Sequence, residues 1–157
     1  MPSSTPSNST EARLRSLLSL TLTVGILGVA IELILLGHYE EWQQWLPFVA
    51  LGVGLASVLL VVFTKSGAAV KLHMVVMLGF LMVGALGVFF HYSGNVEFEL
   101  EMVPSIGGWE LFKEAMTGAT PALAPGAMVL IGLIGLVIAY RHPFLRGEDA
   151  SAKPTTE

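Results

Sequence analysis

The sequence predicts an all-α integral membrane protein with four transmembrane helices. Both termini are predicted to be cytoplasmic, and a short external strand and an interfacial helix are predicted between the third and fourth spans. Three observations support this fold class. Of the 157 residues, 54% are hydrophobic and 13% are charged, whereas soluble domains average about 25% charged residues. Four apolar runs approach the ~20 residues that cross a bilayer. The segments between them are alternately rich and poor in basic residues, as in a protein that crosses the membrane repeatedly.

The same composition excludes several classes of protein. A chain this apolar is neither disordered nor an ordinary soluble globule. It has no cysteine, so disulfides, thiolate metal sites and cysteine nucleophiles are excluded. Its eight basic residues are too few and too scattered to form a nucleic-acid face. No phosphate-binding loop, dinucleotide fingerprint or serine-hydrolase motif is present, which argues against an enzyme.

The predicted spans are residues 16–37, 46–64, 69–91 and 122–140. The long segment 92–121, between the third and fourth spans, is predicted to be external. They form one membrane domain, residues 14–146. The fourth span follows Pro121 and Pro125, and proline is well tolerated at a helix start. The flanking segments 1–13 and 147–157 are rich in Ser, Thr and Pro and are predicted to be disordered tails.

Charge sets the predicted orientation. Cytoplasmic loops of membrane proteins carry an excess of Lys and Arg. Seven of the eight basic residues fall on the side of the two termini: Arg13, Arg15, Lys65, Lys71, Arg141, Arg146 and Lys153. The other side carries Lys113 and most of the glutamates. We therefore expect a multi-pass protein of a bacterial-type inner membrane, with cytoplasmic termini and acidic external loops.

Small residues mark the predicted packing faces, because they let helix backbones approach closely in lipid. At 100° per residue, Thr21, Gly25, Gly28 and Glu32 share one stripe of the first helix, which is expected to face the bundle interior. Equivalent interior faces are predicted on the other spans: Ala50, Gly54 and Ser57 on the second, His73, Gly84, Gly87 and His91 on the third, and Gly132 and Gly135 on the fourth.

A short motif recurs in the first and third helices. Residues 24–29 read VGILGV and residues 83–88 read VGALGV, an offset of 59. Either a helical hairpin was duplicated, giving a pseudo-two-fold axis along the membrane normal, or two apolar helices match by chance. If the two helices are aligned with this offset of 59, Glu32 in the first helix corresponds to His91 in the third.

Glu32 and His91 form the first candidate site. An acidic residue inside an apolar run is costly and usually marks function, although a glutamate near a helix end also reaches the interface. If Glu32 meets His91, the carboxylate and imidazole could relay protons or bind a cation. The first helix continues about a turn beyond Glu32, whereas His91 lies at the end of the third helix. The two side chains reach the same depth in the membrane only if the first helix projects or tilts.

A second candidate site is a metal centre at the external surface. Carboxylates and imidazoles are ligands for divalent metals. Residues 96–102 alternate strictly between apolar and polar, which predicts an extended strand with its glutamates on one side, and Ser105 is expected to cap a helix running through Gly118. The alternatives are an aromatic belt for the first loop and a solvated acidic face for the strand. The possible ligands are His38, Glu40, Glu41, His91, Glu97, Glu99 and Glu101.

Haem is disfavoured as a cofactor, although four histidines could in principle supply axial ligands. All four lie near the predicted membrane surfaces, where unliganded histidine is common.

The leading functional hypothesis is a subunit or accessory protein of a membrane complex, with the lipid bilayer and either further copies of itself or other chains as partners. One alternative is an oligomeric transporter or proton/cation conductor using Glu32 and His91. Another is a metal- or haem-binding membrane enzyme.

Overall fold

The computed structural model describes residues 6–146, and every regular element in that range is helical. A 3₁₀ turn at Trp42–Gln44 precedes the second helix. Three segments are long and apolar enough to cross a membrane: Thr10–Leu35, Trp42–Thr64 and Gly67–Met102. A fourth apolar helix has 14 residues. The helices are α1 (Pro6–Leu35), α2 (Trp45–Thr64), α3 (Gly67–Met102), α4 (Gly108–Thr117), α5 (Gly126–Ala139) and α6 (Pro143–Arg146).

The predicted external strand is wrong, because residues 96–102 continue α3 as a helix. A single strand would leave its backbone groups unpaired, whereas a helix satisfies them internally. Glutamate, leucine and methionine are also good helix formers. The helix ends where Val103, at φ −135° and ψ 83°, precedes Pro104, because a residue before proline avoids the helical region. An alternation over seven residues is therefore too short to distinguish a strand, with its period of 2 residues, from a helix, with its period of 3.6 residues.

Two further boundaries differ from the prediction. Residues 6–13 of the predicted N-terminal tail belong to α1, while residues 1–5 and the predicted tail 147–157 lie outside the described residues. The predicted short helix exists as α4, between α3 and α5, but it begins at Gly108 after the N-cap Gly107 and has no side-chain cap. Ser105 lies in the turn before it.

Four helices form a ring in which each contacts two neighbours. The helix α1 packs against α2 and α5, and α3 packs against α2 and α5, so α1 and α3 lie diagonally opposite. The centre is filled by side chains that are at most 2% exposed: Leu22, Ile26, Leu51, Met77 and Phe80. The tight α2–α3 connection is fixed by Lys65 in the left-handed region at φ 47° and by Ser66, whose Oγ accepts a hydrogen bond from the Ala69 amide.

The helices α3 and α5 run antiparallel in close contact, and glycines set their register. A Cβ built on Gly84 would lie 2.6 Å from a methyl group of Val129, and one on Gly87 would lie 2.6 Å from Pro125. Further along, a Cβ on Gly132 would lie 2.8 Å from the Met77 carbonyl oxygen. The predicted packing roles of these glycines, and of Gly54 and Gly135, agree with such close approaches.

The predicted interior face of α1 is wrong for three of its four residues. Thr21, Gly28 and Glu32 are exposed, and the core contacts come from Leu22 and Ile26, each 1% exposed. The reason is volume. The ring of four helices leaves a space at its centre that larger side chains fill, whereas glycine would leave a cavity there.

The two copies of the glycine motif pack differently. Gly84 and Gly87 both press against α5, whereas Gly25 approaches α5 loosely, with its Cβ position 3.8 Å from Ile131, and Gly28 has no neighbour within 4 Å. A two-fold axis relating the hairpins α1–α2 and α3–α5 would place Gly25 against α2. The packing of these glycines therefore does not follow the proposed symmetry.

The long helix α3 projects beyond the bundle. Its 36 residues span about 54 Å at ~1.5 Å per residue, whereas a bilayer core is about 30 Å thick. The amphipathic helix α4 packs against this projection. The end of α3 and α4 together make a helical hairpin, residues 92–117, which we call the outer hairpin.

Candidate functional site

The end of the bundle from which the outer hairpin projects, which we call the outer end, carries a pair of histidines. The rings of His38, in the α1–α2 connection, and His91, in α3, have centroids 6.2 Å apart. His91 Nδ1 also donates a hydrogen bond to the carbonyl oxygen of Pro121, at 3.1 Å. These contacts join the α1–α2 connection, α3 and the segment before α5 at one level of the molecule.

Glu32 does not join this pair in the described part of the chain. Its side chain is exposed on α1, and His91 has His38 and Pro121 as its contacts instead. The proton- or cation-conducting role of Glu32 and His91 therefore stays a prediction, without a direct contact between them in a single chain.

The seven possible metal ligands are not assembled within one chain. No three histidine, aspartate or glutamate side chains from residues 6–146 come together in a way that could hold a metal ion. In a helix Glu97 and Glu101 lie one turn apart, and Glu99 points about 200° away from Glu97. Around Glu41, the Gln44 side chain accepts hydrogen bonds from the Glu40 and Glu41 amides at 2.7 and 3.2 Å, so this part of the loop serves to begin a helix.

Aromatic contacts occupy the same outer level. Trp42 meets Phe90 edge to face at 6.5 Å, and the Phe112 ring lies 6.0 Å from Tyr92 and 5.1 Å from Trp109. Tryptophan and tyrosine are enriched where a membrane meets water. Of these contacts only Trp42–Phe90 involves the α1–α2 connection, and the aromatic-belt alternative for that connection stays a prediction.

The pKa of His38 gives the outer pair a pH dependence. Burial, and secondarily the positive charge of His91, lower the pKa of His38 below its ordinary value of 6.5. At a pH between the lowered pKa of folded His38 and the ordinary pKa of the unfolded chain, the unfolded chain binds more protons than the folded chain. The free energy of unfolding therefore falls as the pH decreases through this range. We expect thermal unfolding in detergent to occur at lower temperature as the pH falls below about 6.5. The same pH series on His38→Gln should show a weaker dependence, and an unchanged slope would contradict this assignment.

A buried polar pair lies in the opposite half of the bundle. His73 is 2% exposed and Ser57 is 4% exposed. The Ser57 hydroxyl donates to the Gly54 carbonyl oxygen at 2.7 Å, and Ser57 Oγ lies 2.8 Å from His73 Nδ1. The sequence placed both residues on interior faces, and their burial confirms this, but it did not predict that they would pair.

An asparagine anchors the outer hairpin. Asn95 is 3% exposed, and its amide nitrogen donates to the carbonyl oxygens of Ala115 and Thr120 at 2.8 and 2.7 Å. Its amide oxygen accepts from the Thr120 backbone N–H and hydroxyl at 3.2 and 2.6 Å. Gly118 lies directly against this side chain, since a Cβ there would be 2.8 Å from it. One residue thus ties α3 to the end of α4 and to the segment that leads into α5.

An arginine links the first and last helices of the ring. The Arg15 guanidinium donates to the carbonyl oxygens of Ile138 and Tyr140, where α5 ends. The last carbonyls of a helix lack intrahelical partners and carry partial negative charge, so a cation there satisfies both needs. The sequence assigned Arg15 to membrane orientation alone.

No protein-family model, curated protein or solved structure matches this chain. The geometry described above is therefore the basis for assigning a function.

Proposed function

We propose that this chain is a four-span subunit of a membrane complex, held to further copies of itself or to other chains by the outward face of α1. The termini would lie on the cytoplasmic side of an inner membrane. The short helix α5 is the fourth crossing in this proposal. Its flanks support that role, because Pro121 meets His91 near the outer end of the bundle and Phe144 meets Gly67 at the start of α3. Residues 121–144 thus run the same distance as α3 does between those levels.

The observation that carries the proposal is the position of Glu32. It lies on an exposed helix surface whose neighbours are apolar, with Ile31, Leu35 and Leu36 at 57%, 77% and 69% exposed. A carboxylate facing lipid costs up to a few kcal/mol, and such residues are usually covered by protein or face water. A surface of another chain would provide that cover.

The rest of the stripe favours a helix as the covering surface. Thr21 and Gly28 are exposed on the same side of α1 as Glu32, and nothing lies within 4 Å of a Cβ at Gly28. Small residues allow two helices to approach, and polar side chains bond across such contacts. The stripe has the composition of a packing face, yet among residues 6–146 it meets α5 only loosely at Gly25 and has no neighbour at Gly28. The simplest occupant is α1 of a second copy.

Disulfide trapping tests this proposal, since the chain has no native cysteine. We expect the single-cysteine variant Gly28→Cys to form a covalent dimer in oxidised membranes, because the outward stripes of two copies face each other. The matched control is Val137→Cys, on α5, where the native side chain is 58% exposed and its neighbours on the same side of the helix are large residues such as Leu133 and Tyr140. The variant at Val137 should stay monomeric.

The outcomes separate the alternatives. No dimer from Gly28→Cys, together with a monomeric mass and no co-purifying chain in lipid nanodiscs, would contradict the subunit proposal. A different chain that co-purifies and cross-links at position 28 would keep the proposal but replace the second copy. A cation or proton flux in proteoliposomes that Glu32→Gln abolishes would favour the conducting alternative instead.

A further inference from the structure

The histidine pair at the outer end of the bundle has the spacing of two ligands on one metal ion. A metal–nitrogen bond is about 2.0 Å long and a ring nitrogen lies about 1.1 Å from its ring centre, so two imidazoles on one ion have centres about 5 Å apart at a tetrahedral angle and about 6 Å apart when they face each other. The centres of His38 and His91 are 6.2 Å apart. Rotation of the side chains is therefore enough to let both rings share one ion, without movement of the helices.

Pro121 determines which nitrogen of His91 is available to a metal. A carbonyl oxygen can only accept, so the hydrogen bond of 3.1 Å between Pro121 and His91 Nδ1 is donated by the histidine. A neutral imidazole has one N–H and one lone pair, which places the lone pair of His91 on Nε2. Histidines that bind metals almost always donate their other N–H to a carbonyl, a carboxylate or water, which orients the ring. His91 thus already has the supporting contact of a metal ligand.

His38 supplies the second imidazole, from the α1–α2 connection. Its side chain is half-buried, and burial together with the charge of His91 lowers its pKa. The ring is therefore neutral at pH 7 and above. Metal ions bind the neutral form of histidine and compete with protons for it. His38 consequently loses no proton when it binds an ion at neutral pH.

The donor set indicates the class of ion. Among residues 6–146 no third histidine, aspartate or glutamate joins the pair in a way that completes a metal site, so the protein ligands are two imidazoles. Calcium and magnesium require several oxygen ligands and do not fit. Imidazole suits zinc, copper and nickel, and copper binds most tightly among the divalent ions of this series.

We propose that His38 and His91 bind one zinc or copper ion at the outer end of the bundle, with water in the remaining coordination positions. The ion joins the α1–α2 connection to α3, and the Pro121 hydrogen bond extends this link to the segment before α5. Both ligands belong to one chain, so the site does not depend on the outward face of α1 or on a partner.

Calorimetric titration with Zn²⁺, and separately with Cu²⁺, tests the proposal at pH ~7.5, where imidazole is neutral. The sample is the full chain without a histidine tag, in nanodiscs that hold one copy. We expect one ion per chain and stronger binding of copper than of zinc. His38→Gln and His91→Gln should each weaken binding by about tenfold or more, since even the hydrogen-bond partners of metal ligands contribute this much.

Glu40→Gln is the matched control, because it removes an exposed carboxylate from the same connection and should leave the affinity unchanged. Unchanged affinity in both histidine variants would overturn the proposal, and so would an equal loss in Glu40→Gln. Pulsed electron paramagnetic resonance of the copper-loaded native chain counts the imidazole ligands without any substitution, so it decides the matter even if a variant unfolds. We expect two imidazoles on each copper ion; one or none would overturn the proposal.

Discussion

Gly132→Ala is expected to lower the free energy of unfolding by about 1–3 kcal/mol, the usual cost of overpacking a core. The added methyl group would lie 2.8 Å from the Met77 carbonyl oxygen and 3.0 Å from Phe80 Cβ. Backbone atoms cannot rotate away as the end of a side chain can, so α3 and α5 must separate. The measurement is the unfolding midpoint in a mixed-micelle denaturant titration.

Gly79→Ala is the matched control for this change. Gly79 lies on α3, and a Cβ built there meets nothing within 4 Å. The same substitution should therefore leave stability unchanged or raise it by up to about 1 kcal/mol, because alanine favours helix more than glycine does. Equal losses at the two positions would show that glycine flexibility, rather than close helix packing, explains the sensitivity of Gly132.

Asn95→Ala is expected to release the outer hairpin without unfolding the bundle. It removes four hydrogen bonds, two to carbonyl oxygens and two to donors of Thr120. Each buried group left unpaired costs about 1–3 kcal/mol. Amide hydrogen exchange in residues 108–121 should accelerate, while exchange in the α2 core around Leu51 should stay slow.

Ser93→Ala provides the comparison for Asn95. Ser93 is half-buried two residues earlier on α3, and it takes no part in the Asn95 network. Its exchange pattern should match that of the wild type. Uniformly faster exchange throughout the chain in Asn95→Ala would instead show that the asparagine supports the whole fold.

Helical periodicity predicted the fold well where one face of a helix contacts one neighbour. The faces carrying Ser57, His73 and Gly84 are buried as predicted, because each lies against a neighbouring helix of the ring, Ser57 against α3 and Gly84 against α5. On α1 the same reasoning failed, since a small-residue stripe indicates a packing face but does not say which helix covers it. Gly28 and Glu32 are exposed in the single chain, so this stripe faces away from the bundle interior and not toward it as predicted.

The polar anchors could not be predicted from spacing. Asn95 bonds to residues 20 and 25 positions away, and Arg15 bonds to backbone atoms more than 120 positions away. Their partners are carbonyl groups, which every residue carries, so no residue type reveals the pairing. The available signal was only general, because a polar side chain that packing buries requires a hydrogen-bond partner.

The uninterrupted length of α3 makes it a rigid lever. His73 and Met102 are 29 residues apart on one helix, about 44 Å at ~1.5 Å per residue. A tilt of about 5° around the buried histidine would move the tip of the outer hairpin by roughly 4 Å on this geometry. Because Asn95 clamps α4 to the arm, the end of α3 and α4 would move together in such a tilt. The residues around His73 would then need to shift far less than the tip of the outer hairpin does.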